Sequence, residues 1–276
     1  MKNEHSKIEQ AFRGTALYGD DFSAEEIEAW FEDEREGYFN LQHKPAPSEE
    51  RGEEQYAYGA LAYRHCFKWL PLGEVDRVLG VGSASGAELA PLARISRALT
   101  VLEPSEGFKT DTVHGRPVSY VKPRASGAMP FADASFDVVV CFSVLHHIPN
   151  VTTVVREMAR VVKTGGLVLL REPTHSMGDW RIPRRGLTKR ERGIPIDVFR
   201  GIIRDAGFDV VREARCMYSL TSRLSHFLAR PVWTYEVVTL LDELICRLPV
   251  WSRAYHAKSI WQKLRPTAVA YVLRRA

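Results

Sequence analysis

The chain predicts an α/β protein: a doubly wound, mostly parallel sheet with helices on both faces. Three observations predict it. Short apolar runs alternate with helix-like segments from residue 76 onward. The run Phe136-Asp-Val-Val-Val-Cys-Phe142 is almost continuously apolar, as a strand buried on both faces should be. The stretch Arg77-Val-Leu-Gly-Val-Gly-Ser-Ala-Ser-Gly86 passes from strand-type residues into a glycine turn and then a helix start.

Residues 1–70 read as a helical N-terminal cap or lid. Ser23-Ala-Glu-Glu26 has the spacing of a capping box, followed by an apolar stripe at Ile27, Trp30 and Phe31. Residues 40–54 read as a polar connection, and a second helix is expected from Tyr56 to Leu70. The core spans 71–216, with strands expected at 77–81, 98–103, 117–121, 136–142 and 166–171, and helices at 86–94 and 151–162. A helix over 196–206 stops at Gly207, and a strand follows at 208–216. Residues 217–265 read as a helical insertion serving as a substrate lid, or as a packed appendage. Residues 266–276 carry the final core strand.

The 276 residues suit one large α/β domain with insertions. Four single cysteines, with no C-x-x-C pair, give neither a zinc site nor a disulfide framework, so no metal is expected and the setting is cytoplasmic. The polar N-terminus does not read as a signal peptide. The formal net charge of +4 is unevenly placed. Residues 1–70 hold 8 Lys+Arg against 15 Asp+Glu, whereas residues 181–276 hold 19 against 8. A basic C-terminal third can meet an anionic partner or the acidic N-terminal third.

A carboxylate at the end of the second apolar run, Glu103, lies about 20 residues past the glycines, where it can accept hydrogen bonds from ribose hydroxyls. The ordered motifs Val78-Leu-Gly-Val-Gly-Ser-Ala-Ser-Gly86, Val101-Leu-Glu-Pro104, Ala128-Met-Pro-Phe-Ala-Asp-Ala-Ser-Phe-Asp137, Cys141-Phe-Ser-Val-Leu-His-His-Ile-Pro149 and Arg160-Val-Val-Lys-Thr-Gly-Gly166 cover residues 75–172. In these the chain resembles the class I S-adenosylmethionine-dependent methyltransferases, whose fold is a Rossmann-like, seven-stranded, mostly parallel sheet.

The resemblance implies S-adenosyl-L-methionine as cofactor. It places Gly80, Gly82, Ser83, Ala84 and Gly86 at the methionine part and Glu103 at the ribose. Ser126, Gly127, Ala128 and Met129 would run beside the adenine, with Phe142, Ser143 and His147 toward the methionine end and mouth. Two positions depart from the group: Gly80 stands where it usually has an acidic residue, and Ala125 or Ser126 where it often has an aspartate.

Methyl transfer needs alignment and exclusion of water, and an oxygen acceptor can need a base. The base candidates are His175, foremost, His147 and Glu172, with His146 read as buried. Arg171-Glu-Pro-Thr-His-Ser-Met-Gly-Asp-Trp-Arg181 and Gly186-Leu-Thr-Lys-Arg-Glu-Arg-Gly-Ile-Pro195 resemble bacterial methyltransferases encoded with glycan-assembly genes. That implies O-methylation of a small-molecule or glycan-related acceptor, with an anionic group held by Arg181, Arg184 and Arg185 of a basic loop that also carries Lys189, Arg190 and Arg192.

Alternatives are a protein of the same fold that binds the cofactor without turnover, and a nucleic-acid methyltransferase. The second lacks an Asn-Pro-Pro-Tyr-type motif. A nicotinamide-dependent oxidoreductase fails on glycine spacing and on the absence of a Tyr-x-x-x-Lys pair. Interleaved Trp, Tyr, Lys and Arg over 227–265 allow a membrane-surface contact.

Overall fold

The computed structural model describes residues 2–41, 56–71, 73–180, 182–228, 230–250 and 252–276. From residue 42 on, the expected polar connection lies outside the described residues. The N-terminal region forms α1 (Lys2–Arg13) and α2 (Ala24–Leu41). Ser23 starts α2 through a reciprocal capping box. The Ser23 N–H donates to Glu26 Oε2 at 2.8 Å, and the Glu26 N–H donates to Ser23 Oγ at 3.3 Å. The helix expected at 56–70 is shorter: α3 (Gly59–His65) followed by a 3-10 turn at Phe67–Trp69.

The core runs β1 (Val75–Val81), α4 (Ala90–Ala93), β2 (Ser96–Leu102), β3 (Thr112–Val113), β4 (Arg116–Val121), β5 (Phe136–Phe142), α5 (Val151–Val161), β6 (Val162–Pro173), α6 (Ile196–Asp205), β7 (Phe208–Tyr218), α7 (Glu236–Cys246) and β8 (Pro266–Arg275). The helix expected at 86–94 is reduced to a 3-10 turn and one α-turn with Pro91 in its first turn.

Eight strands form one sheet in the order β3-β4-β2-β1-β5-β6-β8-β7. The pairings among β4, β2, β1, β5 and β6 are parallel, whereas β8 runs antiparallel to both β6 and β7. The two-residue β3, hydrogen-bonded antiparallel to β4, makes the eighth strand beyond the expected seven.

Two apolar layers sandwich the sheet. One packs α5 and α6 on one face through Val155, Met158, Phe199 and Ile203. The other packs α3, α4 and residues 232–233 on the opposite face through Leu61, Leu92 and Trp233. The four cysteines are buried and free. No helix among the described residues is long and apolar enough to cross a membrane.

The expected insertion is mostly 3-10 turns around a single helix, α7. Polar anchors hold α7 against the sheet edge and α3. Asp242 accepts the N–H groups of Met217 and Tyr218 at 2.8 Å each, and the Arg64 Nε donates to Thr239 Oγ1 at 3.1 Å.

Candidate active site

A cavity of about 730 Å³ opens at the carboxyl ends of β1, β2, β5 and β6, where open α/β sheets take ligands. Among the described residues, Gly82, Ser83, Ala84, Glu103, Gly127, Met129, Phe142, Ser143 and His147 line it. Gly80, Gly86, Ser126 and Ala128 do not. Gly80 lies within β1, and a Cβ there would collide with Ser83 Oγ and come 2.9 Å from Leu89 Cδ1. Gly86 serves packing instead: its φ is +78°, and a Cβ would meet Val113 Cγ2 at 2.6 Å. Gly82 is the glycine that faces the cavity. With φ +63° and Val144 Cγ1 2.5 Å from an added Cβ, it admits no side chain. Ala84 (φ +44°) and Ser143 (φ +59°) hold strained left-handed backbone at the same wall.

Glu103 is 6 % exposed. Its carboxylate accepts the N–H groups of Ala84 and Ser105, both at 3.1 Å. Burial raises its pKa to about 7 against the pull of those two N–H groups. Glu88 is a second buried carboxylate on the wall. It accepts the Ser83 hydroxyl at 2.6 Å, and burial raises it to about 7. Ser83 and Leu89 occupy the space that a side chain at position 80 would need, so the acidic group on this side comes from Glu88.

A folded-state pKa above the ordinary 4.5 means that the native state holds more protons than the unfolded state between pH 4.5 and 7. The Glu88 contribution to stability therefore falls as pH rises through that window. Glu88→Gln is expected to match the parent near pH 5 and to exceed its unfolding free energy by about 1–3 kcal/mol at pH 8. Urea unfolding at both pH values checks this, and equal differences at the two would show that Glu88 is ionised throughout.

The three expected bases separate. His175 does not line the cavity. Burial lowers its pKa to about 4, and its Nδ1 lies 3.1 Å from the Thr267 carbonyl, so it is part of the packing between β6 and β8. Glu172 is fully buried and structural. It accepts the N–H groups of Val144 and Leu145 at 2.8 Å and of His146 at 3.3 Å, and it pairs with His146 Nδ1 at 2.8 Å. It thus fixes the cavity wall at 144–147 and has no capacity left for a substrate proton.

His147 alone among the three lines the cavity. Its Nδ1 lies 2.8 Å from Glu34 Oε2, delivered by α2, and its carbonyl accepts the Trp30 Nε1–H at 2.7 Å. Burial pushes His147 down, whereas Glu34 is held below the ordinary range by the ring and by the Arg190 N–H despite its burial. In its neutral form the imidazole can donate Nδ1–H to the Glu34 carboxylate. His146, His147 and Glu191 bring ligand-type atoms within 4.8 Å of one another, a cluster not expected from spacing. Within it, His146 Nδ1 meets Glu172, His147 Nδ1 meets Glu34, and Glu191 accepts the Thr188 hydroxyl at 3.0 Å.

No described residue of the basic loop lines the cavity. Arg181 lies outside the described residues. Arg184 donates to the carbonyls of Met177, Thr188 and Lys189, and Arg185 is exposed to solvent. Lys189 and Arg190 pair with Asp33 of α2, so the loop answers the acidic N-terminal region. Arg192 is fully buried.

Among the described residues Arg35, Arg124 and Arg171 line the cavity; Arg171 is the buried one, 2 % exposed at the end of β6. Its Nη2 donates to Tyr56 Oη at 2.9 Å and Ser143 Oγ at 3.1 Å, and the guanidinium lies 4.5 Å from the Tyr58 ring and 5.2 Å from the Phe142 ring. Its Nε and Nη1 have no hydrogen-bond partner, and no described carboxylate pairs with it. Sequence reasoning quoted Arg171 without giving it a role. A charged residue directly after the apolar run Leu167–Leu170, at a carboxyl strand end, was the available signal. Tyr56, Tyr58, Glu88 and Glu34 were missed likewise.

In topology and in this wall the chain is similar to the class I S-adenosylmethionine-dependent methyltransferases. Residues 79–170 match the family described as methyltransferase domain, whose cofactor is S-adenosylmethionine. The chain is 33% identical over 98 residues to a ubiquinone biosynthesis O-methyltransferase of Maricaulis maris, covering 34% of this chain and 39% of that protein. It is 27% identical over 180 residues to the 27-O-demethylrifamycin SV methyltransferase of Amycolatopsis mediterranei, covering 60% and 62%. The match thus spans about two fifths of the length of the first of these curated relatives. An S-adenosylmethionine-dependent methyltransferase from Mesorhizobium loti shares the fold with a TM-score of 0.52, at 16% identity, over 81% of this chain and 100% of that one.

Proposed function

We propose that the chain transfers a methyl group from S-adenosylmethionine to an oxygen of a small acceptor bearing an anionic group. The observation that carries this is the wall of Gly82, Ser83, Ala84 and Glu103 facing one cavity at the strand ends of the matched domain. When bound, the cofactor supplies a methyl group already activated on a sulfonium.

Glu103 accepts the ribose hydroxyls. Glu88 stands in for the acidic side chain that Gly80 cannot provide and faces the ammonium. Gly127 and Met129 would hold the adenine, and Phe142 and Ser143 the methionine end. α2 covers the mouth, where Phe31, Glu34 and Arg35 line the cavity. His147 takes the acceptor proton. Arg171, whose Nε and Nη1 carry three N–H groups without a partner, holds the acceptor anion between Tyr56, Tyr58 and Phe142, and this replaces the loop arginines in that role. The aromatic wall suits the face of a sugar ring as well as an aromatic ring, which keeps a glycan-related acceptor within the reading.

Isothermal titration with S-adenosylmethionine, S-adenosylhomocysteine and NAD tests it. Micromolar binding of the two sulfur compounds and none of NAD is expected, followed by transfer to phenolic, carboxylated or phosphorylated sugar acceptors. Glu103→Ala is expected to weaken cofactor binding by about 1–3 kcal/mol through lost charged hydrogen bonds. Absence of binding by the parent chain, or unchanged affinity in the variant, overturns the assignment.

A further inference from the structure

Helix α7 is built inside out. The residues it buries are Thr239, Asp242, Glu243 and Cys246, and those it exposes are Val237, Leu240, Leu241, Leu244 and Ile245, with Leu248 exposed just past its end. The exposed set recurs at 237, 240, 241, 244 and 248, a single stripe along the helix. Val237 is 70% and Leu248 62% exposed.

The inward polar residues are satisfied. Asp242 accepts two backbone N–H groups of β7. Glu243 pairs with Arg212 at 2.9 Å, Arg247 at 2.8 Å and Arg64 at 3.5 Å. This outward apolar face is therefore not a packing error awaiting rotation, because turning the helix would break the bonds to β7 and the pairs with Arg212 and Arg64. The flanking turns add Leu224, Phe227 (86% exposed), Ile260 and Trp261 (64% exposed). An apolar surface of this kind marks an interaction site.

Charge selects the partner. Among the described residues from 219 to 265, Arg223, Arg230, Arg247, Arg253, Lys258 and Lys263 are exposed cations, whereas Glu236 is the single exposed carboxylate, since Asp242 and Glu243 face inward. We propose that α7 and its flanking turns form a docking face for an anionic lipid bilayer, with the leucine stripe entering the headgroup boundary and the cations meeting lipid phosphates. A protein surface that matched this face would need acidic residues spread around an apolar stripe. The chain's own acidic excess, in residues 1–70, is already engaged in part by Lys189 and Arg190. No described residue of 217–265 lines the cavity, so the docking face is separate from the methyl-transfer reading.

Sedimentation of the full chain with phosphatidylcholine vesicles, with and without about one third phosphatidylglycerol, tests the proposal. The protein is expected to pellet with the anionic vesicles and to bind neutral ones about tenfold more weakly. The double variant Leu241→Glu/Leu244→Glu is expected to stay in the supernatant while keeping the parent's circular dichroism and S-adenosylhomocysteine affinity. A parent chain that remains in the supernatant with anionic vesicles overturns the proposal. So does a parent chain that is dimeric by light scattering and becomes monomeric in the double variant, because a second copy would then cover the face.

Discussion

Arg192→Ala is expected to lower the unfolding free energy by about 3–5 kcal/mol, the largest stability loss at any single charged position of the chain. The side chain is fully buried, and its guanidinium serves five carbonyls: Tyr18 at 3.0 Å, Leu145 at 3.3 Å, His146 at 3.1 Å, Ile148 at 2.9 Å and Pro149 at 3.2 Å. It also lies 5.2 Å from the Trp30 ring. Truncation strands several buried carbonyls at once and leaves a cavity beside Trp30. Arg192→Lys is expected to recover little, since a lysine has no planar fork to span both sides of the turn. Arg185→Ala, on the same loop but exposed, should stay within about 0.5 kcal/mol of the parent. Guanidinium unfolding of the three variants separates a keystone from a solvated cation. A loss below about 1 kcal/mol for Arg192→Ala would remove that role.

Arg192 also shows where sequence reading reaches its limit. The sheet was legible because local patterns dictate it: a strand buried on both faces has to be apolar throughout, and the β5 run is. That Gly82 and Glu103 face one cavity was legible because they sit at strand ends that the motif order fixes. What the pattern could not give is the partner of a long side chain. Arg184, Arg190 and Arg192 look alike in a loop rich in glycine and proline. One is spent on local carbonyls, one on Asp33 and one on a turn more than 40 residues away in sequence. Charge asymmetry between the two ends of the chain correctly raised the pairing of acidic and basic thirds, without naming the pairs.

Two of the three expected bases, His175 and Glu172, lie away from the cavity for the same reason. His175 lay one step past a strand end in a polar loop, but the crossing of β8 at Thr267 buries it. Glu34 was passed over because it extends the apolar stripe of Trp30 by one turn. A carboxylate on a buried helix face was itself the signal.

Loss of His147 is expected to have the largest effect on turnover. His147→Ala should reduce kcat by about 10²–10³-fold, in the range of a positioned general base, with S-adenosylhomocysteine affinity within about threefold of the parent. Neutral imidazole is the active form, and burial holds its pKa below the ordinary 6.5, so kcat should rise with pH below neutrality and be level above it. Glu34→Gln tests the pair rather than the ring. It keeps the size of the side chain but replaces an anion that accepts Nδ1–H with an amide that can present either edge. The ring then loses its fixed tautomer and part of its basicity, so kcat should fall by about 10–100-fold and the acidic limb of the profile should move to lower pH. A lost lid contact would instead raise KM with kcat and the limb in place. If His147→Ala retains turnover within about threefold and the rate follows the acceptor's own pKa, the proton leaves before binding. Arg171, holding the acceptor as an anion, would then be the residue that makes the oxygen reactive.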